Sequence, residues 1–483
     1  MALPPREALG WFTQPGDCEA AAEWVRECGT QRVVVSLDML CYGGLVASRS
    51  AEVSVGQAME RLDTLRKLRR GRADLIVFGF SLIARLGTTV TAKDQLGLHE
   101  LLRAYSQLVD RVERLGEESA QGELNSVLER LDASALTSYL EVRRRNHTIN
   151  RAAIELVAEG VLDYLVLAQE DAAAVGIHLP EQLALRGQVE EFRVGDRVAL
   201  HPGGDEVVMV LVARQCLSAA GRRVRIAADY ATSAGAELVP QFESHALSRT
   251  AESQIAAAGA HPAPPGEAEA ILFVHTPIGP QEDIAQAPER GGAPGLALQS
   301  ESVVERLQAA RRAGRMVGLA DVAYCNGADP ELIAALGRTG GARELDAFAG
   351  WNTAANTIGT AVSQLCLQAA SGSEEGWSER GAWQQVLAAR FLDDYGYQSR
   401  VRQRAIAQAE RMGADPYALE GAWPEVERYV NEEMGPVAQS IYSELLAGGD
   451  DGPLGEVRAS LPWHRLFEVE MELSSSGESK NRR

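Results

Sequence analysis

The sequence predicts an α/β fold: a (β/α) barrel-like parallel sheet with outer helices, followed by a C-terminal helical segment. An open doubly wound sheet is the alternative. Three observations predict it. Short β-branched or aliphatic runs such as Arg32-Val-Val-Val-Ser36 recur along the chain, and runs of this kind suit strands buried on both faces. Stretches with apolar residues at helical spacing separate most of them, the alternation that builds a parallel sheet with helices outside. About eight such runs occur, the strand number of a closed barrel.

The elements follow in order. The first strand, 32–38, ends on Asp38 and leads into a glycine-bearing loop, 39–49, that carries Tyr42 and Arg49. Val55, Ala58, Leu62, Leu65 and Leu68 predict a helix over 54–70 with a basic last turn. The second strand, 74–80, is followed by Ser81 and Arg85. Residues 94–115 and 123–160 read as helical. Within the second run, Arg143-Arg144-Arg145 reads as a solvated helix face. Asn146 and Asn150 share a face at i, i+4. With His147 they form either a site wall or a satisfied interhelical network. The third strand, 162–168, ends in Gln169-Glu170-Asp171, and 197–200 leads into His201-Pro-Gly-Gly-Asp205-Glu206. A buried helix is expected from Asp205 onward.

Further strands are expected at 223–228, 270–274, 316–320 and 345–349, followed by Asp229, His275, Asp321 and Trp351-Asn352. Residues 278–300, rich in Gly, Pro and Ala, read as a mobile surface loop of the kind that serves as a lid. Asp321 to Asp329, which includes Asn326, lacks the alternating Asp/Asn series and closing Glu of a calcium loop. Asp329-Pro330 is a helix start, with Asp as N-cap and Pro in the first turn. Trp351 to Ala361 opens a helix of small residues. It reads either as a packing and capping element or as a sugar platform, an indole face with amides beside it. Residues 371–376 read as a linker and 379–447 as helical, and 461–467 is expected to dock onto the body. The domain organisation expected is an α/β domain over 1–370, a C-terminal helical extension over 371–472 and a disordered tail over 473–483.

Composition narrows the function. The chain has 47 basic and 67 acidic residues, a formal net charge of −20. That balance argues against nucleic acid and anionic membrane as partners, which need basic patches. The six cysteines are scattered with no CxxC, so neither a zinc site nor a disulfide framework is expected, and a reducing cytoplasm is the default. No stretch is long and apolar enough for a membrane span. The expected partner is a small molecule, with no cofactor and no metal; homo-oligomerisation stays open.

Both architectures place ligands at the carboxyl ends of strands. The substrate-binding residues expected there are Asp38, Tyr42, Arg49, Asn146, His147, Gln169, Asp171, Asp321, Asn326, Trp351 and Asn352. Asp205 and Glu206, adjacent behind a glycine turn, are the candidate catalytic pair. The competing reading is an ordinary helix start, where carboxylates sit against free N–H groups. One shared cleft is expected to gather Asp38, Asp171, Asp205, Asp321 and Trp351.

Several segments carry a resemblance: Ser36 to Arg49, Arg145 to Asn150, Gly204 to Val207, Ala320 to Asp329 and Ala349 to Ala354. Together they resemble the bacterial family catalogued as domain of unknown function 4127, over nearly the whole chain. The resemblance implies no established activity. Members of that family usually begin with a further strand carrying Leu-Asp-Asp-Arg-Pro. Here Met1 falls after that point, so the strand at 32–38 is expected to have an exposed edge or a gap beside it. A more distant similarity concerns chemistry. His201 to Glu206 is similar to the His-x-Gly-Gly-Asp-Glu motif of the hexosaminidases of glycoside hydrolase family twenty. That similarity implies that Asp205 orients a 2-acetamido group and Glu206 is the general acid, a substrate-assisted route. Gly203 to Glu206 also resembles the signature of diguanylate cyclases. Val207 replaces the Phe of that signature, and its upstream metal motif is missing. The expected function is a glycoside hydrolase acting on 2-acetamido sugars. The alternatives are a non-catalytic carbohydrate or small-ligand binding protein, and a divalent-metal enzyme using Asp38, Asp171, Asp205 and Asp321.

Overall fold

The aliphatic runs do form parallel strands. A computed structural model describes residues 1–286, 295–371, 377–447 and 455–473. β1 (Arg32–Ser36), β2 (Ile76–Ile83), β3 (Tyr164–Gln169) and β4 (Val198–Pro202) pair in that order, all parallel. β5 (Arg225–Tyr230), β6 (His261–Pro262), β7 (Ala270–His275), β8 (Glu282–Asp283), β9 (Met316–Asp321), β10 (Tyr324–Cys325) and β11 (Ala347–Ala349) follow. They make a five-stranded parallel sheet, ordered β11-β9-β7-β5-β6, and a small β10-β8 pair. β12 (Val457–Ser460) and β13 (Glu470–Leu473) form an antiparallel ribbon.

The α/β class with parallel sheets and helices outside therefore holds. Among the described residues the single barrel does not form, because the main strands pair in two open sheets, each with two edges, and β1 is one such edge. The open doubly wound alternative describes the second sheet: β6 and β7 lie on opposite sides of β5, so its strands run in the order 2-1-3-4-5 along the chain, with the reversal that marks a switch point at β5. The first sheet keeps chain order, β1-β2-β3-β4. The pattern of a strand buried on both faces is the same in a barrel and in an open sheet. Which strands become edges is a matter of pairing that the pattern does not carry.

The chain divides into two compact units. The first comprises residues 1–90, 94–212 and 242–244, and the second 91–93, 213–241 and 245–483. The division falls inside the segment read from sequence as one domain over 1–370. In the first unit, β3 is buried along its whole length. Its alternate side chains go to opposite faces. Leu165 and Leu167 join Val33, Val35 and Val77 in one core, together with Ile149, Ala153 and Leu156 of the helix Ala133–Ala158. Tyr164, Val166 and Ala168 join Phe78, Phe80 and Leu82 in another, closed by Val207 and Leu211. Each fully buried leucine or valine contributes about 2 kcal/mol of transfer energy. In the second unit, Ile271, Phe273, Val317, Leu319 and Phe348 share one core with Phe391, Val430, Met434 and Leu445. The segment expected as a helical extension is helical, and its apolar face belongs to this sheet's core.

Some local expectations change. Residues 39–49 are not all loop: Leu37–Tyr42 is a helix, N-capped by Ser36, whose Oγ accepts from Met39 N at 3.1 Å, and stopped by Gly43 at φ 88°. Six residues are too few for helical periodicity to show. The run 54–70 is two helices, Val55–Leu62 and Thr64–Gly71. Of the 278–300 loop, β8 and the start of the helix Leu296–Arg312 are ordered elements, and 287–294 lies outside the described residues. So do most of the expected linker (372–376) and nearly all of the tail (474–483). Among the described residues, no helix is long and apolar enough to cross a membrane.

Candidate functional site at the strand carboxyl ends

The carboxyl ends of β1, β2 and β3 gather a charged cluster in the first unit. Asp38 lies in the first turn of Leu37–Tyr42, just after β1. It is 1% exposed, and its Oδ2 accepts a hydrogen bond from Leu82 N at 3.0 Å. Its Oδ1 has no hydrogen-bond partner. Burial, reinforced by the charge of Glu170 and opposed by the Leu82 N–H and by Arg49, pushes the Asp38 carboxyl up to about 7. Glu170 follows β3. Burial would raise its carboxyl, but the guanidinium groups of Arg49 and Arg85 outweigh that and hold it below the ordinary range. Arg49 donates to Glu170 Oε1 through one nitrogen and to Thr89 Oγ1 at 2.7 Å through another. Arg85 pairs with Asp171 and stands 3.7 Å from Glu170. Burial and the Arg49 charge lower the Arg85 guanidinium to about 10. Asp171 sits at φ 33°, a conformation that costs a residue with a Cβ about 1 kcal/mol or more and is common at sites. The four charged side chains are 14–24% exposed, so the cluster reaches the surface while Asp38 lies beneath it.

Asp205 and Glu206 are arranged differently from the expected catalytic pair. The helix begins at Val207, not Asp205. Glu206 is fully buried, and its Oε2 accepts from Gly204 N at 2.8 Å. Gly203 has φ 125°, and a Cβ there would lie 2.0 Å from Glu206 Oε1. The carboxylate thus turns back onto its own glycine turn. His201 is buried too, with Nδ1 2.8 Å from Pro202 O, and burial lowers its pKa.

Of the other expected binding residues in this unit, several are engaged internally. Asn146 accepts from Arg145 at 2.9 and 3.0 Å and donates to Ser48 O at 3.0 Å. Asn150 accepts from Ser81 Oγ at 2.8 Å and donates to Leu82 O at 3.3 Å. The satisfied-network alternative describes both. Gln169 is buried between the Glu170 carbonyl and Gln182. His147 lies near Glu181, Arg151 and Arg143, and burial leads the effects that lower its pKa. Tyr42 is buried with Arg145 over its ring at 4.4 Å. The arginine triplet is not a solvated face. Arg143 and Arg145 are buried, Arg143 on Glu181 and Arg145 on backbone carbonyls. Only Arg144 is exposed.

The remaining expected residues lie in the second unit, at the carboxyl ends of β7, β9 and β11. One cleft on one sheet carrying Asp38, Asp171, Asp205, Asp321 and Trp351 is therefore not formed, because the first three belong to the four-stranded sheet and the last two to the other. Asp321 is 1% exposed and accepts from Asp329 N at 2.6 Å and Ala323 N at 3.2 Å. Burial leads the effects that raise its carboxyl to about 7, against the lowering by His275. Asp329 caps the helix Pro330–Thr339, as expected, and its Oδ2 lies 2.9 Å from His275 Nε2 and 3.3 Å from Ser300 Oγ. Ser300 and Asp329 address the same ring nitrogen, so this is not a nucleophile relay. Asn326 (φ 62°) and Asn352 (φ 53°) are joined by a backbone hydrogen bond of 2.9 Å, and Asn326 Nδ2 donates to Asp283 Oδ2 at 2.6 Å. Trp351 Nε1 donates to Thr360 Oγ1 at 3.1 Å, and Arg390 lies 5.6 Å over its ring. Among the described residues, no three His, Cys, Asp or Glu side chains come together as metal ligands.

The family model described as a protein of unknown function, DUF4127, matches residues 1–472. The chain belongs to that family. No curated protein matches it. Two of the DUF4127 segments read from sequence, 36–49 and 145–150, meet in this structure where Arg145 and Asn146 hold the carbonyls of residues 48 and 50. Sequence reasoning passed over Glu170 and Arg85 as site residues. Their place after a strand marks Gln169 and Asp171 as candidates, and Glu170 shares that place between them. The available signal was charge: Arg49, Arg85 and Glu170-Asp171 follow three successive strands of this DUF4127 chain.

Proposed function

We propose that this protein is a hydrolase of the glycosidase type, with Asp38 and Glu170 as its acid and its ionised carboxylate. One observation carries the reading: two neighbouring carboxyls at strand ends are pushed in opposite directions. Asp38 goes up to about 7 through burial, while Glu170, though half-buried, is held down by Arg49 and Arg85. Environments that separate two titrating groups assign one as proton donor and the other as charged partner. Asp38 keeps one oxygen without a hydrogen bond, so a proton carried there is not already committed to the protein. Arg49, Arg85 and Asp171 supply the polar contacts for sugar hydroxyls. The acid is placed here and not at Glu206, because the Glu206 carboxylate closes its own turn on Gly204. The motif at 201–206 still makes 2-acetamido sugars the first substrates to assay.

The test is turnover of aryl glycosides, N-acetylhexosaminides first. Asp38→Asn and Glu170→Gln should each lower kcat/KM by ~100-fold or more, the range for losing a general acid or its partner. Glu206→Gln should change it less than about tenfold, since an amide oxygen can still accept from Gly204. Loss of activity in Glu206→Gln with retention in Asp38→Asn would move the site to the 201–206 turn. A second reading, sugar binding without turnover, is favoured by the 1% exposure of Asp38. Wild-type protein that binds these glycosides without cleaving them would establish it.

A further inference from the structure

The charged cluster of the first unit has a support that comes from another element. Arg49, which pairs with Glu170, lies in the short 3₁₀ turn Ala47–Arg49. A turn of that length has too few hydrogen bonds of its own to fix where a long side chain starts. Arg145, on the helix Ala133–Ala158, reaches this turn. Its Nη2 donates to Ser48 O, and its Nη1 donates to Ser50 O at 2.7 Å and Val53 O at 2.9 Å. One guanidinium thus holds the carbonyls on both sides of Arg49. Nε and Nη2 also donate to Asn146 Oδ1, at 3.0 and 2.9 Å, and Asn146 Nδ2 donates in turn to Ser48 O at 3.0 Å. Every N–H of the arginine fork therefore has an acceptor. The Tyr42 ring closes one face of the guanidinium at 4.4 Å.

Arg145 is buried, and among the described residues no carboxylate pairs with it. Arg143 on the same helix is buried with Glu181 as its counter-ion. Taking a guanidinium out of water without one is costly, and an apolar side chain fills such a space at less cost. What the fork supplies and an apolar side chain does not is a fixed direction for three carbonyls. Those carbonyls set the start of the Arg49 side chain, which spans Thr89 Oγ1 and Glu170 Oε1. The charged groups around Glu170 come from four segments. Arg49 is bonded to it, Arg85 stands 3.7 Å away after β2, and Asp38 acts on it from after β1. Asp171 shares Arg85, and Asp205 acts on Arg85 from the 201–206 turn. Of the two cations, Arg49 is the one that hydrogen-bonds to Glu170.

We propose that Arg145 is a positioning residue of the carboxyl-end site: it clamps the carbonyls of Ser48 and Ser50 so that Arg49 meets Glu170. Its part in catalysis rests on the reading of Glu170 as the ionised carboxylate of that site. Labelling of the full chain with phenylglyoxal, which modifies free guanidinium groups, tests the clamp, with the rate at Arg49 read by mass spectrometry. Arg145→Lys keeps the charge and loses the fork. It should raise the Arg49 rate by about tenfold, the loss of one charge-assisted hydrogen bond. Asn146→Ala keeps the buried arginine and removes its side-chain acceptor, so it is the variant that decides should Arg145→Lys not fold. It should raise the rate by about threefold. Arg69 is the control. It also holds backbone carbonyls, those of Ala73, Leu75 and Val161, but at the amino ends of β2 and β3. Arg69→Lys should lower Tm and leave the Arg49 rate unchanged. In turnover of aryl glycosides, Arg145→Lys should lower kcat/KM by about tenfold or more and move its acid limb to higher pH, because Glu170 loses the cation bonded to it. A wild type without turnover counts against the glycosidase reading, and the labelling at Arg49 still decides on Arg145. The proposal is overturned if Arg145→Lys and Asn146→Ala label at Arg49 as the wild type does, or if Arg69→Lys raises that rate as much as they do.

Discussion

Asp38 makes the folded state sensitive to pH in a direction opposite to a salt-bridged carboxylate. Its folded pKa is raised to about 7, burial being the main cause. As pH rises past the ordinary carboxylate range, the unfolded chain gives up this proton while the folded chain keeps it. The stability due to the protonated form is full below about pH 4 and falls away as pH approaches 7. Denaturant unfolding of wild type and Asp38→Asn at several pH values checks this. The wild type should lose ~2–4 kcal/mol more than the variant between pH 4.5 and 7.5, at about 1.4 kcal/mol per pKa unit. Equal losses would mean that Asp38 is ionised in the folded protein. The same residue shows what a sequence reader can see. Its place after a β-branched run was legible, and its protonation was not. Burial in the folded unit and the charge of Glu170, a residue far along the chain, decide that.

At the scale of elements, turns and caps were the most legible features. Asp329-Pro330 starts a helix in sequence and in structure. What the sequence does not disclose is that the same carboxylate also faces His275 and Ser300. The 201–206 turn is the opposite case. Its composition was read for chemistry, and its geometry serves the turn. Gly203→Ala should destabilise the first unit by about 2 kcal/mol or more, because φ is positive and the new Cβ meets the Glu206 carboxylate. Thermal unfolding measures this, and an unchanged Tm would show that Glu206 can leave the turn at little cost. A π-helical stretch, Phe391–Val401, is a further element that periodicity does not announce. It brings Asp394 to Gly350 N at 2.7 Å and lets the Asp394 carbonyl accept from Ala328 N at 2.8 Å. Wide turns of this kind are uncommon and cluster at sites where a side chain has to be re-aimed.

At the scale of the molecule, the second unit has one core where the sequence suggested a body and an extension. Phe348 of β11 stacks on Phe391 at 4.2 Å, and Leu392, Val430 and Met434 are buried in the same cluster. Ending the chain at Ser371 should therefore leave β7, β9 and β11 with an uncovered apolar face. The shortened protein should bind ANS and lose the sharp calorimetric transition of its second unit. A shortened chain that keeps that transition would make 377–473 an appendage with its own stability.

The sequence by itself determined the repeating strand and helix units, the polar residues that end each strand, and the glycine and proline punctuation between them. These follow from local physics: the period of apolar residues, N-capping by Ser36 and Asp329, and the positive φ that Gly43 and Gly203 supply. Tertiary structure alone decided that the strands divide between two sheets. It also decided that Asn146 and Gln169 spend their amides inside the protein and that Glu170 stands between two arginines. Strand pairing, burial and charge proximity join residues many positions apart. A side chain's proton affinity and its free hydrogen-bonding capacity depend on those neighbours more than on its own place in the chain.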